Sequence, residues 1–252
     1  MILRPTDTGL LLVTQPDHAA AAADLIGHFT IDDFARRPTR DAVLLATREH
    51  DVGWADEDAA PTIEPQSGRP HDFVNAPIAV RQRLWPRAVA HLRRTSTYVA
   101  ALVAQHALTV YGRYANDPAW ASFFTEMADR RDREFDAAEA PGFAATPLDP
   151  ANPVRQAFLQ DYGYLSVGDM LSLVFCNAWT DVFDADRFRI RLVDATIVIS
   201  PDPFGGRTVP FRVRARRLAD RRYHSDDELR QALAAAPDEW LPGIARGTDG
   251  VI

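Results

Sequence analysis

Residues 40–54, RDAVLLATREHDVGW, have the apolar spacing of an amphipathic helix that ends in two ionisable side chains. Val43 lies seven residues before His50, and Leu44 lies seven residues before Asp51. His50 and Asp51 therefore flank the inward-facing edge of this helix. A histidine and a carboxylate on a buried face are costly unless they are hydrogen-bonded, paired or bound to a cation.

Three more predicted helices carry an ionisable side chain in their apolar stripe. His18, His106 and Asp169 each have apolar residues four and seven positions away, which is the spacing of one helix face. Each of them alone has a simpler interpretation, as a hydrogen-bonded core histidine or as an aspartate that accepts from Tyr or Trp or pairs with Arg. Their occurrence on separate helices favours one shared cation.

The remaining pattern predicts a mainly α-helical protein with a β-hairpin over residues 1–15. Helices are expected over residues 18–35, 40–51, 77–94, 98–114, 119–138, 154–179 and 225–236. A proline-containing break covers residues 141–153, and alternating hydrophobicity after residue 186 predicts about three strands. We expect residues 1–185 to form a helical metal-binding domain and residues 186–252 a small β-rich extension packed on it.

Composition narrows the functional classes. The 252-residue chain has a formal net charge of −7, which argues against a dedicated nucleic-acid binder. It has no apolar run of membrane-spanning length, and its N-terminus lacks the basic region of a signal peptide. The single cysteine, Cys176, agrees with a reducing compartment. We expect a cytoplasmic protein that acts on a small molecule without membrane or nucleic-acid partners, and homo-oligomerisation stays open.

The clustered donors have the chemistry of a catalytic metal site. Two imidazoles and two carboxylates suit a divalent first-row metal, or magnesium with waters, better than a closed structural zinc site. We expect His18, His50, Asp51 and Asp169 to hold such a divalent ion, with Mn, Fe, Mg and Zn as the candidates. Bound water would be activated at the open positions, and an adjacent imidazole would move its proton.

These residues resemble the HD-domain superfamily of metal-dependent phosphohydrolases, in which a first-helix His, a His-Asp doublet and a late-helix Asp hold one metal. The resemblance implies a helical HD-like bundle and makes His106 similar to the extra ligand or acid/base of binuclear members. The segments TQPDH, EHDVGW and GDMLSL, with the ILRP opening and the C-terminal strands, are similar to an uncharacterised bacterial family of domains of unknown function. That family implies no activity.

The loop over residues 53–76 has three prolines and no periodicity, and loops of this length are often functional lids. We predict that Trp54, Arg69 and His71 in this loop bind substrate, with a solvated loop as the alternative. A second doublet, His71-Asp72, has no apolar helix face and therefore ranks below His50-Asp51.

The predicted function is a metal-dependent hydrolase acting on a phosphate ester of a small metabolite or nucleotide, with His106 and Asp51 as catalytic residues. The sequence has no Gly-x-Ser-x-Gly elbow, phosphate-binding loop or dinucleotide fingerprint. Two alternatives remain: an HD-type di-iron oxygenase, and a non-catalytic ligand-binding or regulatory helical module.

Overall fold

The computed structural model describes residues 1–138 and 153–252, which contain long helices and one mixed sheet. The helices are α1 (Gln15–Gly27), α2 (Arg40–Glu49), α3 (Ala55–Ala59), α4 (Ile78–Leu92), α5 (Thr97–Val110), α6 (Ala121–Asp136), α7 (Pro153–Asn177) and α8 (Asp226–Ala235). The strands are β1 (Ile2–Thr6), β2 (Gly9–Val13), β3 (Val182–Ala185), β4 (Phe188–Val193), β5 (Thr196–Ser200), β6 (Thr208–Leu218) and β7 (Asp238–Gly247). None of the described helices is both long and apolar enough to cross a membrane.

All seven strands belong to one sheet, in the order β1-β2-β6-β7-β5-β4-β3. Neighbouring strands are antiparallel except β5 and β7, which pair in parallel. The N-terminal hairpin joins the C-terminal strands through pairing of residues 10–12 with residues 216–218. The sheet therefore takes its strands from both ends of the described chain.

The predicted mainly α-helical, HD-like bundle is wrong. The fold is α/β, with about half of the residues in helices and a fifth in a seven-stranded mixed sheet. The central strand β7 escaped prediction because Pro242 and Gly243 interrupt its pattern, and both residue types are depleted in strands. Without β7, the hairpin with β6 and the group of β3, β4 and β5 look like separate small units. The proposed division at residue 185 stays a prediction.

Two long helices position the buried polar residues. Helix α1 packs against β6, and α7 packs against α1, β1 and β4. On β4, Phe188, Ile190 and Leu192 are buried and the alternating positions are exposed, so one face of this strand joins the core. Helices α2 and α5 cover α7 from the other side. The centre of α7 is thus enclosed by sheet and helices.

The ends of α1 differ from the prediction of a helix over residues 18–35. Thr14 caps the N-terminus by accepting a hydrogen bond from the backbone of Asp17, so Gln15 lies in the first turn of the helix. At the other end the backbone N–H of Thr30 donates to the carbonyl oxygen of Pro203, which takes the chain away from the helix. The predicted break over residues 141–153 lies, except for Pro153, outside the described residues.

Candidate metal centre

Four helices bring five ionisable side chains together in the interior. These residues, here called the His/Asp cluster, are His18 on α1, His50 and Asp51 at the end of α2, His106 on α5 and Asp169 on α7. All five are less than a tenth exposed. His18, His50 and Asp169 form a group whose ligand atoms lie within 4.8 Å of one another, a group that could hold a metal ion.

The hydrogen bonds of His18 fix its tautomer. Its Nδ1 lies 2.8 Å from Oγ of Ser172, and that hydroxyl donates its own proton to the carbonyl oxygen of Asp169 at 2.9 Å. Nδ1 of His18 must therefore carry the proton that it shares with Ser172. The other nitrogen, Nε2, lies 2.8 Å from Oδ2 of Asp51, and this contact is favourable only with a proton or a metal ion between the two atoms.

His50 is held in the same way by the backbone. Its Nδ1 lies 2.7 Å from the carbonyl oxygen of Thr47, and a carbonyl oxygen can only accept. Nε2 of His50 is buried and has no hydrogen-bond partner among the described residues. This atom lies 3.4 Å from a carboxylate oxygen of Asp51 and 3.4 Å from one of Asp169. Backbone or hydroxyl partners that orient an imidazole in this way are typical of metal-ligating histidines.

His106 completes the cluster with longer contacts. Its Nε2 lies 3.5 Å from Oδ2 of Asp169, and its Nδ1 lies 3.4 Å from the hydroxyl of Tyr162. The ring stands edge-on to His50 with centroids 4.9 Å apart. His106 is thus adjacent to the other members of the cluster but has no short, fixed hydrogen bond.

The electrostatics of the cluster favour a positive charge at its centre. Burial acts to lower the pKa of His50, but the charges of Asp51 and Asp169 outweigh it and hold that pKa well above the ordinary value. Burial acts to raise the pKa of Asp51, yet the neighbouring His50 and His18 bring this pKa well below its usual range. Burial also acts to raise the pKa of Asp169, but His50 and His106 lower it below its ordinary value. The two carboxylates therefore stay ionised and attract a cation.

His106 behaves differently because burial dominates. Burial lowers the pKa of His106 to about 4, so the ring is neutral near pH 7. A neutral imidazole that is oriented only by long contacts is able to accept a proton.

Close packing of helices brings the donors together. A Cβ atom added to Gly168 would lie 2.9 Å from a methyl of Ile26 and 3.1 Å from the methyl of Thr47. Gly168 directly precedes Asp169, and Thr47 supplies the carbonyl that orients His50. The absence of a side chain at residue 168 thus lets α1, α2 and α7 approach one another beside the donors.

A narrow, partly open cleft leads to the cluster. Its cavity volume is about 40 Å³, room for only a few water molecules. The lining residues are Gln15, Asp51, Trp54, Phe73, Trp85, His106, Val110, Tyr111, Asp169 and Leu173. Three cluster members are therefore accessible from one side of the protein.

Two residues that line this cleft have a buried polar atom without a close hydrogen-bond partner among the described residues: Oε1 of Gln15 and Nε1 of Trp85. The Trp85 indole stands edge-on to Tyr111 with ring centroids 6.1 Å apart. Burial raises the pKa of Tyr111 to about 12, and the indole N–H acts against that rise. The Trp85 side chain therefore acts on the Tyr111 hydroxyl as a hydrogen-bond donor, although no short contact joins them.

Comparison with known proteins gives one match. The family model described as "Protein of unknown function (DUF3891)" matches residues 1–220. The chain belongs to this family. No curated protein and no solved structure matches it, and no comparison supports the resemblance to the HD-domain superfamily. The residues that the DUF3891 model matches include the whole His/Asp cluster.

The predicted substrate-binding residues of this DUF3891 protein lie in different places. Trp54 is buried and lines the cleft. Arg69 is exposed and pairs with Asp220. His71 contacts the side chain of Asn75 at 3.2 Å. Arg69 and His71 are not among the residues that line the cleft to the His/Asp cluster.

Sequence reasoning missed four residues of the site. They are Gln15, Trp85, Tyr111 and Ser172. Ser172 had a recognisable signal, since it lies three residues after Asp169 on the same helix and therefore on a neighbouring face. Gln15 had none, because it precedes the predicted start of α1.

Proposed function

We propose that this protein is a metal-dependent hydrolase whose divalent ion is held by His18, His50 and Asp169, with Asp51 beside them. The observation that carries the proposal is the excess of acceptors in one buried space. Two oriented imidazole nitrogens face two carboxylates, and no Arg lines this cleft among the described residues. Such a set is costly to bury without a cation.

The spacing of the donor atoms supports a metal in this space. Two ligands that each lie about 2.1 Å from one ion are separated by about 3 to 4 Å. The distances from the Nε2 atoms of the cluster histidines to the carboxylate oxygens run from 2.8 to 3.5 Å. Histidine and aspartate together suit Zn, Mn or Fe better than Ca or Mg, which prefer oxygen ligands.

The metal would supply acidity to water and polarise the bond to be broken. Within the chain, His106 is the residue placed to accept the proton, because it lines the cleft and contacts Asp169, whose charge acts to raise the pKa of His106. The water oxygen forms a bond to the electrophilic centre and the bond to the leaving group breaks. The proton taken by His106 then passes to the leaving group, so the reaction needs no oxidant or reductant.

The test begins with elemental analysis of the purified protein. We expect about one divalent ion per chain and chelator-sensitive hydrolysis of at least one of p-nitrophenyl phosphate, p-nitrophenyl acetate and p-nitroacetanilide. The variant Asp51→Ala should lose the ion, whereas the matched control His91→Ala should keep it, since His91 is exposed, lies outside the cluster and has its side chain 2.8 Å from that of Arg94. Wild-type protein that retains no added metal would contradict the proposal.

The variant His106→Ala separates binding from turnover. We expect it to keep its metal and to lose about 10²- to 10⁴-fold in rate, the usual contribution of a general base. Full activity in this variant would remove His106 from the mechanism. Stoichiometric iron with oxygen consumption would favour the di-iron oxygenase alternative, and bound metal without turnover would favour the non-catalytic module. The phosphate-ester substrate stays a prediction.

A further inference from the structure

Helix α8 covers one end of the sheet face that points away from the core. The register places Leu10, Leu12 and Leu218 on this face, because residues paired across strands lie on the same side of a sheet. Leu229 and Leu233 of α8 pack on them. The rest of this face, called the open sheet face, consists of alternate residues of β3 (182–184), β4 (189–193), β5 (196–200), β6 (208–216) and β7 (238–246). Most of these residues are exposed, so solvent reaches this part of the sheet.

The open sheet face carries four large apolar side chains that solvent reaches. Trp240 is 51% exposed, and Val193, Ile244 and Val182 are about two-fifths exposed. These are four of the nine large apolar side chains that are exposed among the described residues. Val193 and Ile244 both pair with Thr196 and therefore stand in one row across three strands, called the apolar row. Apolar side chains concentrated on one exposed face are typical of an interaction surface.

The same face is positively charged, although the chain has a net charge of −7. It has two outward aspartates, Asp184 and Asp238, and six outward arginines: Arg189, Arg191, Arg212, Arg214, Arg216 and Arg246. Asp238 pairs with Arg214 and Arg216, and Asp184 lies 3.6 Å from Arg189. The other three arginines have no carboxylate partner among the described residues. An anionic partner would supply the missing counter-charges.

The three arginines without a carboxylate partner stand on both sides of the apolar row. Arg191 and Arg246 lie on one side and Arg212 on the other, each two residues away along its strand. The guanidinium carbon of Arg212 lies 4.2 Å from the centre of the Trp240 ring. Four residues of a strand span about 13 Å, so the space between the flanking arginines matches the width of one helix with its side chains, about 10–12 Å.

Helix α8 shows which kind of element this sheet face accepts. Residues 226–228 in its first turn are all acidic, and its Leu229 and Leu233 are buried against the sheet. Arg216 of the open sheet face donates to the carbonyl oxygen of Leu233 at 3.4 Å. An acidic amphipathic helix therefore already covers the neighbouring end of the face and contacts one of its arginines.

We infer that the open sheet face binds an acidic amphipathic helix of another protein, with apolar side chains on the apolar row and carboxylates beside the flanking arginines. Charge complementarity favours this partner, because a second copy of the chain stacked face to face would bring arginines against arginines. Single-stranded nucleic acid would meet one outward aromatic ring, Trp240, whereas its binding surfaces stack several bases. Trp and Arg are also the residue types that contribute most at protein interfaces.

The test uses three synthetic helical peptides with a fluorescent label, whose anisotropy reports binding. Each has about five helical turns. The first has Leu on one face and Glu on the other, the second has Lys in place of Glu, and the third has Ser in place of Leu. We expect the Glu/Leu peptide to bind with a Kd below about 100 μM and the other two at least about ten-fold more weakly. Binding of the Glu/Leu peptide should weaken in about 1 M NaCl, because salt screens exposed charges.

Two variants of the open sheet face should weaken binding of the Glu/Leu peptide. We expect Trp240→Ala and Arg246→Glu each to lose about five-fold or more in affinity, with an unchanged thermal unfolding temperature because both side chains are exposed. The matched control is Arg113→Glu, since Arg113 is exposed and lies against the ring of Tyr114, away from the sheet. It should bind the peptide as the wild-type protein does.

Several results would overturn the inference. They are absence of binding of the Glu/Leu peptide, equal binding of the Lys/Leu peptide, and unchanged affinity in both face variants. Binding of oligo(dT) or of phosphatidylglycerol vesicles that is lost in Trp240→Ala would assign the face to nucleic acid or to a lipid surface instead. Self-association of wild-type protein that is lost in the same variant would assign it to a second copy of the chain.

Discussion

Helix α7 carries two buried aspartates eight residues apart, and their surroundings differ in one respect. Asp161 is 1% exposed, and its carboxylate accepts from the guanidinium of Arg37 at 2.8 and 2.9 Å and from the hydroxyl of Tyr98 at 2.6 Å. Asp169 is 8% exposed and is surrounded by imidazoles and a second carboxylate. Asp161 has a permanently charged partner in Arg37. Asp169 has only histidines as ion-pair partners among the described residues, and their charge depends on pH.

This difference separates a structural ion pair from a candidate metal site. Arg stays protonated at all relevant pH values, so the Arg37–Asp161 pair is complete when the protein folds. The imidazoles around Asp169 carry charge only when protonated, and their proton can be exchanged for a metal ion. The same residue type on one helix therefore has a fixed structural partner at residue 161, whereas the surroundings of Asp169 could hold a metal ion.

The largest expected effect is a loss of folding stability when the Arg37–Asp161 ion pair is broken. Asp161→Ala removes the buried carboxylate that pairs with the partly buried guanidinium of Arg37, and removing one member of a buried pair costs up to about 3–5 kcal/mol. Denaturant unfolding should show this loss, while elemental analysis should find unchanged metal content in the folded fraction. Metal loss from folded Asp161→Ala protein would erase the proposed distinction between the two aspartates.

In the His/Asp cluster, a substitution of Asp169 should mainly lower the affinity for metal. Asp169→Ala removes a predicted ligand, and we expect at least about a 100-fold weaker metal affinity, since even second-shell changes cost 10- to 100-fold. Competition with a chromophoric chelator measures this change. Affinity within a factor of two of wild type would show that Asp169 is not a ligand.

A third prediction concerns the helix packing at Gly168, which brings the donor atoms of the His/Asp cluster together. Gly168→Ala places a methyl where Ile26 and Thr47 already lie, and overpacking of this kind costs about 1–3 kcal/mol. Because the displaced Thr47 carbonyl orients His50, metal affinity should fall together with stability. The control Gly112→Ala adds a methyl with no neighbour within 4 Å, and it should leave metal affinity unchanged. Equal metal affinity in both variants would be evidence against close helix approach as the cause.

The pH dependence of metal-free protein sharpens the comparison further. The pKa of His50 is raised in the folded state, so protonated His50 stabilises the folded protein. This contribution is complete below about pH 6.5 and is lost as the pH rises through the folded pKa. The lowered pKa values of Asp51 and Asp169 give stabilisation that is lost as pH falls from about 4 through their folded values. Stability of metal-free protein should therefore decline on the alkaline side, with a slope of up to about 1.4 kcal/mol per pH unit for one proton.

Thermal unfolding at several pH values measures this decline with and without metal. Bound metal requires neutral His50, so metal-loaded protein should lack the alkaline decline that His50 causes. The variant His50→Gln should lack it even without metal. A decline that persists unchanged in His50→Gln would assign it to another group.

The smallest expected effect comes from the exposed loop pair. Arg69→Ala breaks an ion pair with Asp220 at the surface, and such pairs contribute about 0–1 kcal/mol. Metal affinity and the rate of hydrolysis should be unchanged. A loss of activity in this variant would return Arg69 to the substrate-binding role that the sequence predicted.

Helical periodicity was informative about the site and misleading about the fold. It placed His18, His106 and Asp169 on inward faces, because each inward position is fixed by residues within two turns of the same helix. The sheet depends instead on pairing between distant segments, such as residues 10–12 with residues 216–218, and no local pattern carries that information. Periodicity gives no position for loop residues. The prediction that Arg69 binds substrate therefore had no geometric support from the sequence.

Joining the hairpin to β6 has a consequence for how the protein is made. Helix α1, which carries His18, follows β2 directly, and β2 meets its partner strand only after about 200 further residues have been synthesised. Closing so long a loop is entropically unfavourable and slows folding. The strand that anchors α1 therefore does not exist until residues 208–218 have been synthesised, and we expect uptake of the proposed metal only after that point.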